Sequence, residues 1–129
     1  MKHMVFATLA LFALAAPAQA QDAAAGEKLF LRCKACHQIG ENAKNVLGPE
    51  LNGVVGRKAA SVEGYSYSKG LSGADFNWDE AKLTEWLHNP KKMIPGTKMI
   101  FPGFPKDQDV KNVIAYLEQF GPDGKKKTP

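Results

Sequence analysis

Three helical patterns separated by long glycine-rich stretches organise this chain. In "DQDVKNVIAYLEQF", Val110, Val113, Ile114 and Leu117 fall at i, i+3, i+4 and i+7, the spacing of a helix with one apolar face. Gly121-Pro122 stops it. "WDEAKLTEWLHN" predicts a second helix, with Asp79 as cap, Leu83, Trp86 and Leu87 on a shared face, and Pro90 as terminator. "QDAAAGEKLFLRCKACHQI" predicts a third from about Asp22 to Cys33, with Asp22 as N-cap and Gly26 as its only breaker. Between the first and second helices in chain order, Gly40, Gly48-Pro49, Gly53, Gly56, Gly64, Gly70 and Gly73 punctuate a region without strand-like alternation. Turns and short helices are expected there. Pro90 to Pro105 reads as a proline-glycine loop, and "GPDGKKKTP", residues 121–129, as a flexible, solvated basic tail. The expected fold is all-α: three to five short helices and loops, with no internal repeat.

The first twenty residues follow a different pattern. Lys2 and His3 precede an apolar run, Met4 to Ala16, which ends in "PAQA". A charged start, a short apolar region and an A-x-A site at Ala18-Gln19-Ala20 make a cleaved secretory signal the expectation. The run falls short of the roughly 20 residues that span a bilayer. Residues 1–20 are therefore read as signal peptide and 21–129 as one small domain, exported to the periplasm. Only Lys2 leaves with the signal, so a net charge of +4 becomes +3. That mild excess fits docking onto an acidic protein surface rather than binding nucleic acid. No other stretch is apolar enough for stable membrane insertion, and a monomer is expected.

Short helices and many loops make a thin apolar core, which small domains commonly staple with disulfides, metals or a cofactor. Both cysteines and one of the three histidines lie in "CKACH", Cys33 to His37. A Cys33–Cys36 disulfide would close a tiny loop and stabilise little. A zinc site needs four ligands, and the remaining histidines are His3, in the signal, and His88. A thioredoxin-like pair expects a strand–turn–helix setting that the pattern lacks. Covalent haem attachment fits best, because C-x-x-C-H is its signature and positions i, i+3 and i+4 share a helical face. Cys33 and Cys36 would form thioethers with the haem vinyl groups, and His37 would ligate the iron. For a sixth ligand, Met93, Met99 and His88 are the candidates. Met99 stands in "IPGTKMIFPGF", where flanking Pro-Gly pairs stiffen its presentation; Met93 and His88 read as packing or surface residues.

With CKACH and "PGTKM" in hand, the chain resembles the class I c-type cytochromes, above all the exported bacterial cytochromes c2 and their mitochondrial-like kin. The likeness runs from Asp22 to Phe120 through "GEKLFLRCKACH", "LGPELNGVVGRK", "GYSYSKG", "FNW", "WLHNPKKMIPGTKMIF" and "VIAYL" in order. It implies the class I fold around one covalent haem c, with His37 and Met99 as axial ligands. It further implies that the Pro49 carbonyl accepts from His37, and that Arg57, Tyr65, Tyr67, Trp78 and Thr97 hold the haem propionates. Gly26, Phe30, Val113 and Tyr116 would form the crossing of the first and last helices. Trp86 departs from the tyrosine that the family often carries, leaving its relation to the methionine sulfur open. The implied activity is electron transport, not enzymatic catalysis. A cytochrome bc-type complex would be the donor, and a photosynthetic reaction centre or a respiratory terminal oxidase the acceptor. Lys28, Lys34, Lys91, Lys92 and Lys98 would form the docking ring. The rival class is an enzyme or sensor in which Met99 leaves and opens the site.

Overall fold

Helix α1 (Ala23–Phe30) begins where the Asp22 carboxylate accepts a hydrogen bond from Ala25 N–H at 3.0 Å. In this computed structural model, which describes residues 21–128, the α-helix ends three residues before the expected Cys33. The chain does not straighten there. Leu31, Arg32, Cys33 and Cys36 each donate to the carbonyl three residues back, so the helix tightens into successive turns that carry CKACH. The expected signal peptide, residues 1–20, lies outside the described residues.

Short helix α2 (Lys69–Ser72) is capped by Ser68, and α3 (Glu80–His88) by Asp79, whose carboxylate accepts from Lys82 N–H at 2.8 Å. Leu83, Trp86 and Leu87 form the buried face of α3, as the pattern predicts. Pro90 does end α3, yet it also opens α4 (Pro90–Met93), with the Asn89 side chain accepting from Lys92 N–H. The expected Pro90–Pro105 loop thus starts with a helical turn. Proline has no N–H to lose at a first helical position, and its fixed φ suits the start of a helix.

Helix α5 (Asp107–Glu118) buries Val110, Val113, Ile114 and Leu117 and crosses α1. Close approach depends on Gly26, since a Cβ there would strike the Asn112 carbonyl. Phe30 then packs at a tilt against Tyr116, ring centroids 5.1 Å apart, and Tyr116 meets Phe120 edge to face at 5.3 Å. Of the expected crossing residues, Gly26 and Phe30 meet Tyr116, and Val113 is buried in the core.

Residues 121–127 differ from a flexible tail. Gly124 turns the chain at φ +79°, Lys127 N–H donates to Gln119 O at 2.7 Å, and Phe120 and Lys126 form an isolated bridge. Gly124 packs against the backbone of Gly40, while Lys125, Lys126 and Lys127 stay exposed. Among the described residues there is no strand, and no helix is long and apolar enough to cross a membrane. The protein is helical, and α1, α3, α5 and the connecting loops surround one cavity.

Candidate functional site

The cavity measures about 310 Å³ and is walled largely by apolar side chains, among them Phe30, Leu51, Val54, Leu71, Leu83 and Leu87. Cys33, Cys36, His37, Pro49, Arg57, Tyr65, Tyr67, Trp78, Thr97 and Met99 all line it. The structure therefore brings together every residue singled out for the site, from segments that span more than half of the described chain.

His37 is launched from the last turn after α1, its N–H bonded to Cys33 O at 2.9 Å. Its Nδ1 lies 2.8 Å from the Pro49 carbonyl. A carbonyl only accepts, so Nδ1 carries the proton and Nε2 keeps its lone pair for a metal. Burial holds the imidazole below its ordinary pKa; the bond to Pro49 opposes this, and the Arg57 charge adds to it. The neutral, ligating form is favoured. Gly48 packs directly on the ring, and an added Cβ would approach Nδ1 to 2.7 Å. Its place before Pro49 was the only sequence signal, and that did not separate it from the chain's other glycines.

Both thiols are free; Cys33 is half-buried and Cys36 exposed. Burial pushes the Cys33 thiol up to about 11, against the lowering effect of Arg32. Arg32 itself stands 5.1 Å from the ring centroids of both Phe101 and Phe104, bracing the chain beyond Met99. Sequence reading passed over this contact because it joins segments far apart in the chain.

Of the three candidate sixth ligands, Met99 alone lines the cavity. Its N–H donates to the Thr97 hydroxyl at 3.2 Å, which fixes its backbone. Met93 packs against the core from α4. His88 is engaged at both nitrogens, with Nδ1 2.8 Å from Phe104 O and Nε2 2.9 Å from an Asp107 carboxylate oxygen.

The polar end of the cavity is more differentiated than expected. Arg57 Nη1 donates to the carbonyls of Glu50 and Asn52 at 3.0 Å and lies 3.5 Å from the Glu50 carboxylate. A guanidinium has five N–H donors, so this leaves others. The Tyr67 hydroxyl accepts from Val62 N–H at 3.1 Å and keeps its own proton to donate; burial holds that proton above the ordinary tyrosine range. Tyr65 instead spends its proton on Leu47 O at 2.9 Å, tying two loops at the cavity mouth. Trp78 is buried between Phe76 and Trp86, with the Trp86 ring 5.3 Å away and also in the wall. Lys28, Lys34, Lys91, Lys92 and Lys98 are all exposed, but Lys98 Nζ donates to Ser66 O at 2.9 Å. That ammonium straps the Met99 segment to the loop before α2.

Among the described residues, no three His, Cys, Asp or Glu side chains cluster to hold a bare metal ion. An apolar cavity with one imidazole, one thioether and two free thiols suits an iron held in a large apolar ring instead. The family model for cytochrome c matches residues 23–121. The chain is 60% identical over 108 residues to cytochrome c-554 of Methylosinus trichosporium, covering 84% of this chain and 82% of that one. It is 47% identical over 127 residues to cytochrome c2 of Blastochloris viridis, covering 98% of this chain and all of that one. In three dimensions it is similar to cytochrome cH from Methylobacterium extorquens, with a TM-score of 0.71 at 49% identity, over 76% of this chain and 98% of that one. The chain therefore belongs to the cytochrome c family, as a class I bacterial c-type cytochrome that carries electrons on one covalently bound haem c.

Proposed function

We propose that this cytochrome is an exported, monomeric shuttle that moves single electrons between membrane redox complexes in the periplasm. Cys33 and Cys36 would hold the haem as thioethers, and His37 and Met99 would ligate its iron. When bound, the haem supplies one-electron chemistry at iron. The chain's own residues set the conditions. Pro49 strengthens His37 as a donor by accepting its Nδ1–H. The Met99 thioether favours the reduced state, and the apolar walls disfavour the extra charge of the oxidised one. Arg57, Tyr67, Thr97 and Trp78 line the cavity and would offer donors to the propionates, because buried carboxylates need them. Tyr65 supports this set through its loop contact rather than by donating its proton.

The observation that carries this reading is the company Met99 keeps. It shares one apolar cavity with His37 and both thiols, whereas Met93 and His88 are held elsewhere. With His37 and Met99 both ligating the iron, oxygen and peroxide would find no open site, which favours a carrier over an enzyme or sensor. A cytochrome bc-type complex as donor, and a photosynthetic reaction centre or terminal oxidase as acceptor, complete the proposal. Exposed Lys28, Lys34, Lys91 and Lys92 would steer docking, with Lys98 contributing from its strapped position.

Mass spectrometry of the exported protein after acid–acetone extraction tests attachment and processing together. Haem retained on a chain that begins at Gln21 is expected. Free haem recovered beside a Cys33–Cys36 disulfide would overturn the attachment.

A further inference from the structure

Two loop segments, 36–40 and 48–52, are laced side by side by hydrogen bonds that belong to no strand. Gly48 N–H donates to Cys36 O at 2.7 Å, and Leu51 N–H donates to Gln38 O at 3.0 Å. Between these rungs lies the bond from His37 Nδ1 to Pro49 O. The ladder closes on Asn52. Gly40 N–H donates to Asn52 Oδ1 at 2.8 Å, and Asn52 Nδ2 donates to Gly40 O at 2.9 Å. One amide side chain thereby takes both polar groups of one residue, as an opposing peptide would in a sheet.

From these contacts we infer that Asn52 is a positioning residue for the His37 imidazole, setting the His37–Pro49 bond from the far end of the ladder. The inference rests on His37 being the proximal ligand. Asn52 is suited to this by burial and anchorage. It is 8% exposed, its own N–H donates to a Glu50 carboxylate oxygen at 2.6 Å, and its carbonyl accepts from Arg57 at 3.0 Å. The side chain therefore reaches Gly40 from a fixed base. Gly40 needs such a clamp, because its φ of +112° is a conformation with many near alternatives for glycine. Gly124 closes on the same backbone from outside. Without the two amide bonds, the ladder frays from Gly40 through Gln38, and the next rung to loosen is the imidazole's.

The same Asn52 backbone also meets Arg57, so the residue stands between the His37 segment and the guanidinium at the polar end of the cavity. Displacing it would alter both ends of the site together. The sign at the proximal end is clear. A weaker Nδ1–H bond makes His37 a poorer donor, which stabilises ferric iron less and raises the midpoint potential.

The test compares wild type, Asn52→Leu, Asn52→Asp and the core control Ile114→Val as holoproteins. First, the wild-type spectrum is read for imidazole-ligated haem; its absence would defeat the carrier reading itself. Solvent exchange of the His37 ring Nδ1–H is then followed by NMR in the ferrous state, beside the midpoint potential and thermal stability. Asn52→Leu, which keeps the branching of the side chain but is bulkier and loses both bonds, is expected to exchange about tenfold faster or more and to show a raised potential. Asn52→Asp keeps an acceptor for Gly40 N–H and loses the donor to Gly40 O, so it should fall between; it carries the test should the leucine variant not fold. Ile114→Val should lower stability while leaving exchange and potential at wild-type values. Wild-type exchange and potential in the Asn52 variant, with only stability reduced, would overturn the inference.

Discussion

A single missing methyl group governs how closely the chain packs on His37. Gly48 lies against the imidazole, where a Cβ would come within 2.7 Å of Nδ1, so the Gly48→Ala side chain must push the ring or the loop aside. Overpacking of this kind costs about 1–3 kcal/mol. Gly48→Ala should therefore lower thermal stability and, by lengthening the bond to Pro49, raise the midpoint potential. A variant with wild-type potential and an intact ring N–H signal would show that the loop yields instead. At Met99 the lever is ligand identity, which shifts haem potentials across about 0.8 V among proteins. Met99→His should leave a folded carrier with a markedly lower potential, measured by voltammetry, since imidazole stabilises ferric iron better than a thioether. The Met99 effect is local, yet its segment is held from near and far: the Thr97 hydroxyl accepts from the Met99 N–H two residues on, and Arg32, from the turn after α1, braces Phe101.

Among the elements, the crossing of α1 and α5 sets the frame on which the cavity is hung. Gly26 permits it, and Gly26→Ala should cost about 1–3 kcal/mol by calorimetry, because the obstacle is the backbone of Asn112 rather than a movable side chain. Tyr116 gives the same crossing a pH dependence. Burial, helped by the Glu27 charge, holds its phenol above the ordinary value of 10.0. The unfolded chain then loses this proton first, so the contribution of Tyr116 is full below pH 10.0 and declines as pH rises past it. In denaturant titrations on either side of that value, Tyr116→Phe should lose less stability than wild type. Much of this frame was legible in the sequence. The apolar spacing located α3 and α5, Asp22 and Asp79 marked two helix starts, and CKACH with PGTKM supplied the residues that meet in the cavity. What escaped depended on contacts that spacing does not encode. Pro90 ended one helix and also began another, because Asn89 caps forward. The lysine-rich end keeps its lysines exposed, but the packing of Gly124 on Gly40 had no signal in the sequence. Tyr65, read as a haem contact, lines the cavity and also bonds Leu47 O, a tie between loops that spacing does not encode.

The molecule as a whole presents a small positive excess, and exposed Lys34 and Lys98 stand next in sequence to Cys33 and Met99. Docking through the proposed lysines would make the rate of electron transfer dependent on salt, because exposed charges are screened beyond about 8 Å at physiological ionic strength. Lys91→Glu should slow reaction with an acidic redox partner at low salt, and added salt should narrow the gap from wild type. Lys91 is the better site for this test than Lys98, whose charge reversal would also break the strap to Ser66. Rates unchanged by both salt and Lys91→Glu would remove the lysines from docking. The central claim is nonetheless about the closed site: one haem held between His37 and Met99, with no position left for substrate. The absorption spectrum of the ferric protein tests it most directly. Wild type and Met93→Ala should both show the sulfur-to-iron band near the red end of the visible, while Met99→Ala should lose it and turn high-spin with weak peroxidase activity. A band that survives Met99→Ala and disappears in Met93→Ala, or a wild type that is high-spin from the outset, would contradict the account.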